Sequence, residues 1–329
     1  MGNEEDVILW LLASEDPSIR YLTLTGLLGR PDDDPRVQHA REGLLEGPRI
    51  RALLAGQEAD GGFGVHPYQK WRGAHWRLVS LVELGVPPGE PRAVAATRQV
   101  LRWLTGRDHR RRIPTIRGLT RVHASMEGNA LAVCSRLGLA KQEEVQLLAR
   151  SLVEWQWPDG GWNCWEGKDV HHSSFYESLT PLWGLWEYHH ATGDSESLRA
   201  AERTAEFFLR HRLFRSERTG EVIKEEWLKL HYPLYWHYDI LQALRILAPV
   251  VRLADTRAQE ALDILEKRRL PDGRWRPGAY YWYPPGKKRS NVEAVDWGRG
   301  GPNRMITLNA LRVLKAAGRE SDSGSRTPS

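Results

Sequence analysis

Ionisable and aromatic side chains gather at the starts of several apolar segments in this 329-residue chain. Tyr68, Lys70, Trp71, His75 and Trp76 open one such segment, and His123, Glu127 and Asn129 open the next. His171, His172, Tyr176 and Glu177 open a third, His231, Tyr232, Tyr235, Trp236 and Asp239 a fourth, and Asn303 and Arg304 a fifth. Each segment then turns apolar, a gradient that core packing alone does not require. His123 and Glu127, His172 and Tyr176, and Tyr235 and Asp239 are each spaced i, i+4, which places two side chains on one helical face. A histidine near a carboxylate suits acid–base work around neutral pH, because neighbours shift its proton affinity. The candidate catalytic groups are therefore His123, Glu127, Tyr176, Glu177, Tyr235 and Asp239. The candidate ligand-binding groups are Trp71, His75, Trp76, Asn129, His172, Tyr232, Trp236 and Arg304. Any one of them has a plainer reading as a helix cap or interhelix contact; the clustering argues for a cavity. Cys164, His171, His172 and His231 are a candidate metal set, since zinc takes thiolate and imidazole ligands. No C-x-x-C or H-E-x-x-H spacing accompanies them.

The elements that must position these groups are read from a repeat. Gln57–Phe63 (QEADGGF), Gln156–Trp162 (QWPDGGW) and Arg269–Trp275 (RLPDGRW) share one turn, in which Asp can close the reversal and Gly permits positive φ. Each follows a helical pattern with one apolar face; Val145, Leu148 and Leu152 show it before the second turn. The spacing predicts six amphipathic helices, at 5–14, 35–56 with a break near Gly47-Pro48, 91–105, 142–156, 195–213 and 256–268. It predicts six more apolar ones, at 18–29, 68–85, 122–138, 171–188, 231–248 and 303–318. Alternation of the two kinds fits an all-α (α/α)6 toroid of six inner and six outer helices, a single domain over residues 1–318. All inner helices then point their N-termini at one rim, where unpaired N–H groups favour an electron-rich ligand.

Composition narrows the function classes. No apolar run reaches the ~18 residues of a membrane span. The start is acidic, unlike a signal peptide, and only Cys134 and Cys164 are present, so a reducing, cytoplasmic setting is expected. The net charge of +5 is dispersed except at Arg107–Arg112 (RDHRRR), read as a solvated loop, and no nucleic-acid motif accompanies it. Residues 319–329 read as a disordered polar tail. The aromatic run Tyr280–Pro285 lies in a long Pro/Gly-rich connection, 277–302, that suits a lid or a static plug.

Gln156, Asp159, Gly160, Gly161 and Trp162 match the Q-x-x-D-G-G-W repeat of squalene-hopene-type terpene cyclases; Gln57–Phe63 matches with Phe for Trp, and Asp272, Gly273 and Trp275 match in part. The chain thus resembles a single toroid of the terpene cyclase and protein prenyltransferase β-subunit superfamily. The resemblance implies a structural role for the repeat and a lipophilic or isoprenoid-like small molecule in the lumen. There an aromatic wall would shelter a carbocation-like intermediate. Two departures stand out. No D-x-D-D acid motif occurs, and Asp32-Asp33-Asp34 sits between prolines as a loop and helix cap. The prenyltransferase zinc set places Cys two residues after Asp, whereas Cys164 follows Asp159 by five. Two other classes remain: a carbohydrate-active (α/α)6 enzyme using paired carboxylates among Glu127, Glu177 and Asp239, and a non-catalytic binding or scaffold protein.

Overall fold

The computed structural model describes residues 4–319. Its helices are α1 (Glu4–Leu12), α2 (Pro17–Leu22, continued by a π-helical turn Thr23–Leu27), α3 (Pro35–Glu42), α4 (Pro48–Leu54), α5 (Ala74–Glu83), α6 (Pro91–Leu104) and the short α7 (Arg107–Arg110). There follow α8 (Ala124–Arg136), α9 (Glu143–Trp155), α10 (Phe175–Thr192), α11 (Ser195–Arg210), α12 (Ile240–Leu247), α13 (Gln259–Lys267) and α14 (Arg304–Ala316). One two-residue ribbon, β1 (Thr115–Ile116) with β2 (Leu119–Thr120), joins α7 to α8. Many starts are written in the sequence. Pro17, Pro35, Pro48 and Pro91 stand in first turns, and Asp16, Asp34, Glu90, Asp194, Asp239 and Asn303 accept hydrogen bonds from exposed backbone N–H groups there. Asp34 is thus a cap.

The helices form two concentric layers. α5 is buried along its whole length, α8 along all but Arg136 and α12 along all but Arg245. α9 and α11 bury one face only. The inner helices α5, α8, α10, α12 and α14 each pack on the next, and α14 packs on the π-helical turn after α2. Arg312 donates to Leu22 O and Lys315 Nζ to Leu27 O (2.9 Å), while Gly85 after α5 lies against Tyr21 and Leu22. The ring therefore closes, and the all-α (α/α)6 toroid is the fold. No helix among the described residues is long and apolar enough to cross a membrane. Most of the expected polar tail lies outside the described residues; Arg319 itself pairs with Asp263 and Glu266, both at 2.7 Å.

The repeated turn works as a clasp. Trp162 is fully buried, and its Nε1 donates to Leu152 O (3.0 Å), ten residues back in α9; Trp275 does the same to Leu265 O (2.8 Å) in α13. Phe63 has no ring N–H. There Arg77 lies over the Phe63 ring (4.1 Å) and donates to Leu53 O (2.8 Å), the equivalent carbonyl. Gln156 Nε2 reaches Gly160 O, Ala200 O and Thr204 Oγ1, all at 2.9 Å, tying the turn to α11. Asp60 and Asp272 close their own turns as expected, but Asp159 reaches instead to the Ser173 N (2.7 Å) ahead of α10.

Two inner helices start later than their apolar patterns suggest. α5 begins at Ala74 and α12 at Ile240, so residues 68–73 and 231–239 are irregular. Before α5 the chain folds back: His75 N donates to Pro67 O (3.1 Å), and a Cβ on Gly73 would stand 2.6 Å from His66 O. Before α12, Pro233 interrupts the pattern, and Asp239 accepts from both His231 N and Gln242 N (2.8 Å each), closing the loop and capping the helix.

Candidate metal centre

The site is built where α8 and α10 cross. Gly128 and Gly184 face each other's helices so closely that a Cβ on Gly128 would stand 2.6 Å from Thr180 O. This crossing brings the two helix starts together. His123 is the residue before α8, with non-helical ψ of 61°, and Glu177 lies in the first turn of α10. Glu177 Oε2 accepts from Ser125 N (3.0 Å), and Thr180 Oγ1 donates to Ser125 O (2.8 Å). Cys164 arrives from the loop after the second clasp. That loop is pinned by Val122 N to Asn163 O (3.1 Å) and by Asn163 Nδ2 to His172 O (2.9 Å).

These anchors put ligand atoms of His123, Cys164 and Glu177 all within 4.8 Å of one another, the one such group of three among the described residues. His123 Nδ1 lies 3.1 Å from Glu177 Oε1. The His123 imidazole is mostly exposed and Cys164 is half-buried, so the cluster opens to the outside. A hydrogen bond to the Cys164 sulfur, then one to Glu177, pushes the His123 proton affinity up to about 10. One nitrogen, one sulfur and one carboxylate oxygen are a donor set that zinc accepts, and three protein ligands leave a fourth position free. The Ser125 N–H on Glu177 is the kind of outer contact that orients such a ligand. The residues present fit a zinc-class ion.

Aromatic side chains lie beside the cluster. Tyr68 is raised to about 12 by burial and then by Glu177 and Cys164. Its ring meets Trp76 at 5.3 Å and Trp103 at 5.7 Å, and Trp103 meets His109 at 5.5 Å. His109 Nε2 lies 2.9 Å from Glu127 Oε1, and the other Glu127 oxygen is buried with no partner. Beside Cys164, the Trp165 side chain is 67 % exposed.

The centre of the ring is filled. Trp71 stacks on Tyr235 (3.7 Å), Tyr235 donates to the buried Glu293, and Trp71 Nε1 donates to Tyr281 O (2.8 Å). His237 is sandwiched between Trp236 (4.0 Å) and Tyr281 (3.5 Å). Trp282 Nε1 donates to Tyr232 O (3.1 Å). The 277–302 connection thus packs as a plug. Burial raises Glu293 despite its donors, and it pushes His75 down to about 3 and, with His231 and Lys70, His237 down to about 2.

The candidates named from sequence are redistributed accordingly. His123 sits before α8 and pairs with Glu177, not with Glu127, which pairs with His109. His172 and Tyr235 precede their helices, so neither shares a helical face with Tyr176 or Asp239. Cys164 groups with His123 and Glu177 rather than with His171, His172 and His231. His171 and His172 are exposed, and His231 is buried 2.6 Å from Asp239. Asp239 serves as a cap, and Glu127 is buried and pairs with His109. Tyr176 donates to Glu226 (2.6 Å). Trp71, His75, Trp76 and Tyr232 are buried in the filled centre, Asn129 reaches Tyr235 O (3.4 Å), and Trp236 is half-buried at the mouth. Arg304, the first residue of α14, lies over Trp10 (4.8 Å) of α1. Sequence reading missed His109, which lay in the basic run read as solvated, and Glu293, which lay in a loop with no periodic signal.

No family model matches this chain, and no curated protein matches it. Among solved structures, it is similar to a protein from Actinoplanes at 17 % identity and a TM-score of 0.44, with 96 % of this chain and all of that one covered. It is also similar to the type II terpene cyclase MstE from Scytonema at 13 % identity and a TM-score of 0.28, with 83 % of this chain and 96 % of that one covered.

Proposed function

We propose that the chain is a zinc-class metalloenzyme that acts on a lipophilic, isoprenoid-like small molecule at the mouth of its toroid. The observation that carries the reading is the convergence of His123, Cys164 and Glu177 at an open rim. When bound, the ion supplies a Lewis acid toward an oxygen or sulfur atom of the substrate. The chain's own residues do the rest. Ser125 N–H fixes Glu177, and the helix starts of α8 and α10 add positive potential toward an electron-rich group. Tyr68, Trp103 and Trp165 offer ring faces to an apolar body. The His109–Glu127 couple stands next along the Tyr68–Trp103 wall and can hold or release a proton at His109 Nε2. A second reading, binding without turnover, is favoured by the aromatic packing at the ring centre, where Trp71 stacks on Tyr235 and His237 on Tyr281.

The test is metal content and spectroscopy. Protein dialysed against zinc should retain about one ion per chain. Cobalt substitution should give a thiolate-to-metal charge-transfer band that is lost in Cys164→Ser and in His123→Ala. A folded protein that retains no metal, or a cobalt spectrum unchanged in Cys164→Ser, would overturn the reading.

A further inference from the structure

The opposite end of the toroid carries a cavity, formed where the inner helices finish. It has a volume of about 660 Å³ and lies between the end of α2, the end of α5, Arg136 of α8 and Arg312 of α14. Its walls are about equally apolar, from Leu22, Leu44, Val82, Val86 and neighbouring prolines, and polar, from Thr25, Arg41, Arg136, Arg312 and one carboxylate, Asp32. The three arginines differ in how they are neutralised. Arg41 pairs with Asp32, and Arg136 is 3.8 Å from Glu187. Arg312 has no carboxylate among the described residues. It donates to Leu22 O, and its Nε is buried without a partner. The guanidinium occupies the space where Gly26 lacks a Cβ, so it is held in place beside the cavity. Burial, with Arg245 and Arg136 nearby, pulls it down to about 10, the mark of a cation short of an anion. Arg245 is itself paired with Glu83 at 2.6 Å.

We infer that this cavity binds an amphiphilic anion, with a phosphate or carboxylate head on Arg312 and Arg136 and an apolar body along the Leu22, Val82 and Val86 wall. Arginine forks suit both head groups through paired N–H donors. A protein lysine or arginine left buried without a counter-charge is costly, and the ligand supplies that charge. The helix carbonyl ends at this face take part of the positive potential, which is why the pocket suits one anionic group rather than a polyanion. This site is separate from the metal cluster, so the two stand or fall independently.

The experiment is calorimetric titration of the whole protein with octyl phosphate, octanoate, inorganic phosphate and octanol. Octyl phosphate or octanoate should bind at one site per chain, and the tighter of the two identifies the head group. Inorganic phosphate and octanol should each bind at least about tenfold more weakly. Arg136→Gln, on the rim and outside the ring closure, should weaken binding about tenfold, and Arg136→Lys should recover part of it. Arg312→Gln should abolish it if the variant folds. Cys164→Ser should leave it unchanged. Failure of both amphiphiles to bind, equal binding of inorganic phosphate, or affinity unaffected by Arg136→Gln would refute the assignment.

Discussion

Replacing Gly128 by alanine tests the crossing on which the metal cluster depends. An ideal Cβ there stands 2.6 Å from Thr180 O, and closer still to the Pro181 nitrogen. Ordinary contact begins at 3.4 Å and the Pro181 nitrogen is 2.3 Å away, so the helices must part by about 3.4 − 2.3 = 1.1 Å. The obstacle is backbone, not a flexible side-chain end, and cannot swing aside. Overpacking of this kind costs typically about 1–3 kcal/mol, and backbone on both sides places Gly128→Ala at the upper end. Alanine's better helix propensity offsets about 1 kcal/mol. The net expectation is a loss of about 2 kcal/mol in urea denaturation. Displacement along the crossing also loosens the 3.0 Å bond from Ser125 N to Glu177, so cobalt affinity should fall with stability. Gly301→Ala is the control, because nothing lies within 4 Å of its Cβ position. A Gly128→Ala protein within about 0.5 kcal/mol of wild type, with an unaltered cobalt spectrum, would refute the argument.

Trp162→Phe removes the donor to Leu152 O and should cost about 1–2 kcal/mol, read by chemical denaturation. Arg77→Met should cost at least as much, since it strips both the ring contact on Phe63 and the donor to Leu53 O. His75 is neutral and buried, with its affinity for a proton lowered to about 3, while the unfolded chain takes up that proton below about 6.5. The unfolded state therefore binds more protons, and the His75 contribution is complete above 6.5 and shrinks by about 1.4 kcal/mol per unit as pH falls toward 3. Urea denaturation across that range should show a shallower acid slope in His75→Phe than in wild type. Zinc uptake at fixed concentration should fall as pH is lowered, because thiolate and imidazole must be free of protons to ligate; isothermal titration at several pH values measures it.

The two-layer ring was legible because burial on all sides and burial on one side leave different periodicities, as α5 and α11 show. The clasp was legible at Trp162 but not at Phe63, where the missing donor is restored by Arg77, a residue of the next helix with no motif of its own. His123, Cys164 and Glu177 were each singled out, but helical spacing pointed to partners within one segment. In a ring, the start of one inner helix lies beside the start of the next, so the partner of His123 is 54 residues away. Helix starts at Ala74 and Ile240 were hidden for a related reason. The loops before them place large aromatic side chains, Trp71, Tyr232 and Tyr235, in buried positions like those of the helices they precede.

The seam between α14 and the turn after α2 has a consequence for biosynthesis. Its two sides are the earliest and latest inner segments of the ring to leave the ribosome, so the barrel cannot shut before α14 has been made. Until then α12 and the Thr23–Leu27 turn present bare greasy flanks. A nascent chain halted before Arg304 would keep that slot open, inviting chaperones or self-association. Conversely, a circularly permuted gene that cut an outer loop would relocate the last-made joint without altering the finished circle.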